Sequence, residues 1–416
     1  MAGSGGLKQK QKQKTSRTFS LKTKAPFLDT EEHMAEFRDV SISATKELTK
    51  AEKQSQGIFF TPKTARNTLF EVLKKLKVKP KKILEPSFGS GEFLEDAYEK
   101  YPDAEITGIE LNPGLFGHTT RTNVHNMDFL EYRGEHDLII GNPPYFLIPS
   151  SATTKICQTG RPNMFVQFLY KAIHENLSTK GYLAFVLPTS LLNSVYYEPM
   201  RKYLFENTCV VAVEKLDGNY IDTQQATFLL VVQKGKKKSK YFLERNGNKY
   251  LTLNPEEMTK LLRGSSTLTE LGFEVSTGKV VWNQEKEKMS DEGTLLIYSS
   301  NLKKGELVLH TPIKAPKKQY ITGFGKDPLS GESILINRGY GNTTYRLDCV
   351  LVDLPEYYAE NHVNVVSPVT DHAKTIVKKV YDSLNGKKTA DFIRMFAGNN
   401  ALSKSEIEGC VPIWLD

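Results

Sequence analysis

A chain of 416 residues with 39% hydrophobic content is long enough for two or three domains with full cores. Its net charge of +8 and pI near 8.9 suit a polyanionic partner. No apolar run approaches the roughly 18 residues of a membrane span, the lysine-rich N-terminus lacks the apolar core of a secretory signal, and Cys157, Cys209, Cys349 and Cys410 form no C-x-x-C pair, so a reducing, intracellular setting without a metal site is expected.

Residues 1 to 25 hold Lys8, Lys10, Lys12, Lys14, Arg17, Lys22 and Lys24 and no acid, which predicts a basic disordered arm ending near residue 30. It reads either as a solubilising tail or as a non-specific phosphate contact. Residues 31 to 53 read as a polar helix. Gly57-Ile58-Phe59-Phe60-Thr61-Pro62 follows, with Thr61 expected as the N-cap of a helix that Pro62 opens and Leu69, Val72, Leu73 and Leu76 as its apolar stripe.

A strand at Lys81–Leu84 runs into the loop Glu85-Pro86-Ser87-Phe88-Gly89-Ser90-Gly91, and a helix begins near Phe93. Glycines between strand and helix let the backbone pass close to a ligand. The spacing is neither G-x-G-x-x-G nor a P-loop, so a phosphate cradle is not expected. A second strand, Ile106 to Glu110, ends in an acid where doubly wound folds bind ribose hydroxyls. A third segment ends in Asp128-Phe129, where an acid can take an amino group and an aromatic can face a purine; a lone Asp there is more often a cap.

Leu138–Gly141 reads as a buried strand and ends on Asn142-Pro143-Pro144-Tyr145. The two prolines have fixed φ and no N–H, so the turn is rigid and rich in acceptors. With the Asn142 side-chain oxygen and the aromatic face of Tyr145, it can hold a planar group bearing an exocyclic NH2. Strand and helix patterns alternate from Lys81 to Lys234, as in a doubly wound parallel sheet. A lysine-rich linker, Lys234 to Lys238, ends this part.

Residues 240 to 416 lack that alternation. Short β-rich runs, Thr294–Tyr298 and Ser333–Asn337, sit among turns that interleave Lys303, Lys304, Lys314, Lys317 and Lys318, and Arg338–Asn342 reads as a loop with a cation and an aromatic. Such loops suit base and phosphate contacts, or else packing against another copy. His362 is expected to be structural.

These motifs resemble the S-adenosylmethionine-dependent N6-adenine DNA methyltransferases of restriction–modification systems, in the order of the gamma class. The resemblance covers about residues 50 to 235. It implies a Rossmann-like methyltransferase sheet over residues 31–235 and a mixed α/β target-recognition domain over 240–416. It implies that Thr61, Glu85, Pro86, Gly89 and Gly91 hold the methionine part of the cofactor, Glu110 the ribose, and Asp128, Phe129 and Phe168 its adenine. It makes Asn142, Pro143, Pro144 and Tyr145 the catalytic turn, and Tyr220 a second aromatic that stacks with Tyr145 on a flipped base. The implied partner is double-stranded DNA. No fused nuclease motif is evident, so a cognate endonuclease would be encoded separately; a monomer is compatible with all of this. The same tetrapeptide occurs in RNA adenine and protein glutamine methyltransferases, which remain rival readings, as does a non-catalytic DNA-binding subunit that keeps the fold.

Overall fold

The computed structural model describes residues 34–149, 154, 156, 162–216, 220, 225–235, 238–309, 317–337, 347–396 and 402–416. The basic arm, Cys157, the residues flanking Tyr220, Lys236, Lys237, Lys314 and the Arg338–Asn342 loop lie outside the described residues.

The polar segment before the first motif forms two helices, α1 (Asp39–Glu47) and α2 (Lys50–Gln56), not the single helix expected. Thr49 breaks it: its hydroxyl accepts from Glu52 N, and the Glu52 carboxylate accepts from Thr49 N, a reciprocal cap that starts a new helix. α2 ends on Gly57 at φ +65°. Helix α3 spans Lys63–Lys75, with Pro62 as its N-cap and Leu69, Val72 and Leu73 buried. Thr61 therefore sits one residue before the cap it was expected to supply. Its hydroxyl is engaged elsewhere, as described below.

Strands β1 (Lys82–Glu85), β2 (Glu105–Glu110), β3 (Val124–Asn126), β4 (His136–Gly141), β5 (Leu177–Pro188), β6 (Thr208–Leu216) and β7 (Thr227–Lys234) form one sheet in the order β3-β2-β1-β4-β5-β7-β6. The expected wholly parallel sheet is corrected at one strand. β7 runs antiparallel to both β5 and β6, because the short connection from Leu216 to Thr227 leaves no room for a helical crossover. Both faces of the sheet are covered, so central strands are apolar throughout. Ile139, Leu183, Phe185, Phe228 and Leu230 pack on one side with the helix Met164–Lys171; Leu138, Ile140, Ala184, Leu229 and Val231 pack on the other with α3 and helix α4 (Glu92–Lys100).

The second half forms a mixed seven-stranded sheet, with Leu329–Asn337 and Cys349–Ala359 as central strands, and the expected strands at 294–297 and 333–337 are present. Helices Asp371–Leu384, Lys387–Phe396 and Lys404–Gly409 share a core with one face of it. His362 Nδ1 lies 2.9 Å from the buried Glu360 carboxylate. The hairpin Phe242–Arg245/Asn248–Leu251 serves both halves: Phe242 and Leu251 pack into the first core, Leu243 and Tyr250 into the second. Alternation along a strand puts successive side chains on opposite faces. Buried Arg201 and Asn193 donate across the junction to the Lys249 and Phe396 carbonyls. Among the described residues, no helix is long and apolar enough to cross a membrane.

Candidate active site

The strands β1, β2 and β4 are parallel, so their C-terminal ends open on one edge of the sheet. That is where doubly wound folds place their ligands. A cavity there is lined by Thr61, Glu85, Pro86, Gly89, Glu110, Asp128, Phe129, Asn142, Pro144 and Phe168, with Phe59, Phe60, Leu111, Met127 and Met164. Ten of the candidate residues thus converge on one space, although they come from segments up to about a hundred positions apart.

The glycine loop is shaped by backbone geometry. Gly89 (φ +57°) and Gly91 (φ +84°) occupy the left-handed region, where a side chain is strained. Gly89 N donates to Glu110 Oε2 at 2.8 Å, and Asn112 N donates to Oε1 at 2.8 Å. Both oxygens of Glu110 are thus oriented by main chain, with acceptor capacity left over. Burial pushes the Glu110 carboxyl above its usual range, opposed by these N–H groups. Glu85 is more extreme. Burial, and then repulsion from Glu110, hold its carboxyl well above the ordinary value, and its Oε2 has no hydrogen-bond partner. An unsatisfied buried carboxyl at a cavity wall calls for a cation.

Phe129 and Phe168 form the opposite wall, ring centroids 4.9 Å apart. Asp128 Oδ1 accepts from Leu130 N at 2.8 Å and caps the turn that carries Phe129. It is both the cap its sequence suggested and a lining residue.

The geometry around Asn142 could not be read from sequence. Its Nδ2 donates to the Phe59 carbonyl at 3.2 Å and to Thr61 Oγ1 at 3.0 Å. The Phe59 carbonyl can only accept, so the amide is fixed with its nitrogen toward the Gly57–Pro62 segment. Oδ1 is then left buried without a partner, an acceptor aimed at nothing in the chain. The same segment presses on the rest of the turn. A Cβ on Gly57 would lie 2.6 Å from Tyr145 N and 2.9 Å from Pro144 Cβ, so only glycine fits.

Pro143, Tyr145, Gly91 and Tyr220 do not line the cavity. Pro143 is buried. The Tyr145 hydroxyl donates to the Val186 carbonyl at 2.7 Å, and its ring meets Phe165 edge-on at 5.9 Å. Burial holds the Tyr145 phenol well above its usual value, with a further contribution from the Tyr220 phenol, which is close enough to be felt. Tyr220 is 7% exposed; its hydroxyl lies 2.9 Å from Thr227 Oγ1, and burial pushes its phenol up to about 12.

Sequence reasoning missed a second layer. Arg66, buried on α3, pairs with Glu92 at 2.6 Å and Asp96 at 2.6 Å and donates to the Thr61 carbonyl. Glu92 in turn accepts from Ser41 and from Arg38 N. This network ties α1, the Thr61 segment and the glycine loop together, so the clamp on Asn142 is itself held. A lone Arg and a Glu in first-turn positions carry no signal of it.

Residues 29–221 match the Eco57I restriction-modification methylase family model. The type II methyltransferase M.CvrRI of Paramecium bursaria Chlorella virus XZ-6E is 30% identical over 397 residues, covering 91% of this chain and 99% of its own. The modification methylase CviBIII of Paramecium bursaria Chlorella virus NC1A is 29% identical over 398 residues, covering 92% of this chain and 100% of its own. Among solved structures, the type IIG restriction endonuclease BpuSI aligns with 90% of this chain and 60% of its own at a TM-score of 0.45 and 12% identity. S-adenosylmethionine is the methyl donor, and the site fits it: the orphaned Glu85 carboxyl suits a cationic ligand, and the Phe129–Phe168 wall suits a purine. The chain belongs to the type II methyltransferases of restriction–modification systems, S-adenosylmethionine-dependent enzymes that methylate DNA.

Proposed function

We propose that the protein methylates the N6 amino group of adenine in double-stranded DNA, on a nucleotide swung out of the helix. The observation that carries this reading is the unpartnered, buried Asn142 Oδ1 at the end of β4. The adenine amino nitrogen is a poor nucleophile because its lone pair is delocalised into the ring. Two acceptors, Asn142 Oδ1 and the Pro143 carbonyl, take its two hydrogens and favour a tetrahedral nitrogen whose lone pair is free. The bound cofactor supplies an electrophilic methyl on a sulfonium. The chain supplies orientation and electrostatics. A base-paired adenine hides its amino group, which requires extrusion; Tyr145 and Tyr220 are the rings that receive it. Residues 240–416 serve as the target-recognition domain, through loops of the second sheet. Methylation of plasmid DNA with S-adenosylmethionine, followed by long-read mapping of modified bases, tests the reading. Modified cytosine, or unmodified DNA under conditions where the cofactor binds, overturns it.

In this reading Thr61 positions Asn142. Thr61→Val removes one of two anchors on Nδ2, and kcat is expected to fall about tenfold, the equivalent of roughly one hydrogen bond. Cofactor affinity by calorimetry should stay near wild type, and Thr61→Ser should restore kcat. A rise in KM for the cofactor at constant kcat would instead mark Thr61 as a methionine contact only.

Glu110 and Glu85 act on cofactor binding. Glu110→Ala is expected to weaken S-adenosylmethionine by about 1–3 kcal/mol. Both acids are raised by burial, so they take up protons at higher pH than ordinary carboxyls; ionised Glu110 accepts from the ribose hydroxyls and ionised Glu85 faces the cationic part of the cofactor. Affinity should therefore fall as pH drops, starting above the usual carboxylate range. Binding should release protons, measurable by calorimetry in buffers of different ionisation enthalpy. Glu85→Gln should abolish much of that release; an unchanged release assigns it to other groups.

A further inference from the structure

The positive charge of this chain is concentrated. Residues 74–82, Lys-Lys-Leu-Lys-Val-Lys-Pro-Lys-Lys, hold six lysines and no acid, and residues 1–25 hold seven basic residues and no acid. Thirteen cations thus lie in two stretches, and with a net charge of +8 the rest of the chain sums to −5. Lysines scattered for solubility would not leave an acidic remainder.

The 74–82 stretch has a definite place. It runs from the C-terminal end of α3 to the first residue of β1, and all six lysines are exposed. The cavity opens at the other end of β1, beyond Glu85. Across the sheet, Lys82 aligns with Asp137 at the start of β4, and Asn142 lies five residues further along that chain, a separation of about 16 Å at strand rise. Lys180, exposed before the apolar part of β5, adds to the same edge, since Tyr182 pairs with Leu138. The acids beside this ridge are Glu71, Glu105 and Asp137. Lys74 and Lys82 make only long, exposed pairs, at 3.9 Å to Glu71 and 3.8 Å to Glu105. Asp137 spends one oxygen on the Lys81 and Lys82 backbone N–H groups.

Two of these lysines stand where glycine is favoured. Lys77 has φ +55° just after α3, and Lys180 has φ +65°. A non-glycine residue there costs roughly 1 kcal/mol, and helix ends of this shape usually carry glycine. The dipole of α3 accounts for cations in its last turn, Lys74 and Lys75. It does not account for Lys79, Lys81 and Lys82, which follow the helix, or for Lys180.

We propose that this lysine ridge binds the phosphate backbone of a second stretch of double-stranded DNA, on the sheet edge opposite the catalytic mouth. The proposal uses only that the substrate is DNA, and stands whichever base is methylated. A duplex engaged at the mouth faces Asn142 and cannot lie along Lys75–Lys81 as well, so the ridge serves non-specific contact and transfer between segments.

The test uses the full chain and a short random-sequence duplex. The logarithm of the binding constant is measured against the logarithm of salt concentration, where each phosphate contact contributes about 0.9 to the slope. In Lys75→Gln/Lys79→Gln/Lys81→Gln the slope is expected to shrink by about 2–3. Single-turnover methylation of saturating plasmid DNA should be unchanged, because none of the three residues is near the cavity. Lys77→Gly should shrink the slope by about 1 while thermal stability holds or rises, which a capping role would not produce. An unchanged slope in the triple variant overturns the proposal. So does a variant that loses binding to anionic phospholipid vesicles while its duplex slope is intact.

Discussion

Asn142→Ala should lower the rate of methyl transfer by about 10²–10³-fold, the usual cost of removing one preorganised hydrogen-bonding group aimed at the reacting centre. The amide has two ends with separate duties. Nδ2 is anchored to Phe59 and Thr61, and Oδ1 is unpaired and buried. Alanine deletes the acceptor while leaving the glycine loop and Glu110 in place. Cofactor affinity should therefore remain within about 1 kcal/mol of wild type. Asn142→Asp gives an intermediate case. It keeps an acceptor in the Oδ1 position but turns a second oxygen toward the Phe59 carbonyl, so the rotamer is no longer enforced. Its rate should lie between wild type and alanine. Rapid-quench measurement with labelled cofactor and saturating plasmid isolates the chemical step. Near-normal transfer by Asn142→Ala would sink the proposed activation of the amino nitrogen.

What was legible in the sequence was what local chemistry dictates. Glycines at 89 and 91, the acid that ends β2 and the acceptor-rich turn after β4 each announce themselves, because backbone conformation and strand position constrain the residue type. Their convergence follows from parallel strands, and alternating patterns reveal those. The direction of β7 was not legible. Phe228–Val232 is apolar on both faces whichever way it runs, and only the short link after Leu216 decides. Nor was the clamp on Asn142. Thr61 before a proline reads as a helix cap, and nothing in its neighbours shows that an amide eighty-one residues away takes the hydroxyl. The hairpin at 242–251 was assigned to the second half by its position in the chain. It belongs to both cores, because a two-stranded ribbon has two faces to bury.

Tyr220 is where geometry and proposed role pull hardest against each other. A residue that stacks on an extruded base must offer a face, yet Tyr220 is buried, with its hydroxyl against Thr227. Its nearness to Tyr145 and its place just before β7 favour the role. Stacking of a base on an aromatic ring contributes about 1–3 kcal/mol. Tyr220→Ala should therefore destabilise the flipped state by that amount, lowering single-turnover transfer by roughly 5- to 150-fold. It should also reduce the fluorescence rise of 2-aminopurine placed at the target position. Tyr220→Phe separates the ring from the hydroxyl. It keeps the face, so flipping and transfer should persist, but it strips the buried Thr227 hydroxyl of a partner and should cost about 1–2 kcal/mol of folding stability. A stability loss with intact fluorescence in Tyr220→Phe, together with lost fluorescence in a folded Tyr220→Ala, assigns the ring to the base. Should Tyr220→Ala fold, flip and transfer like the wild type, the second face belongs to another ring. Tyr197, in edge contact with Phe165, which itself meets Tyr145, and the half-exposed Tyr196 beside it are then the residues to replace.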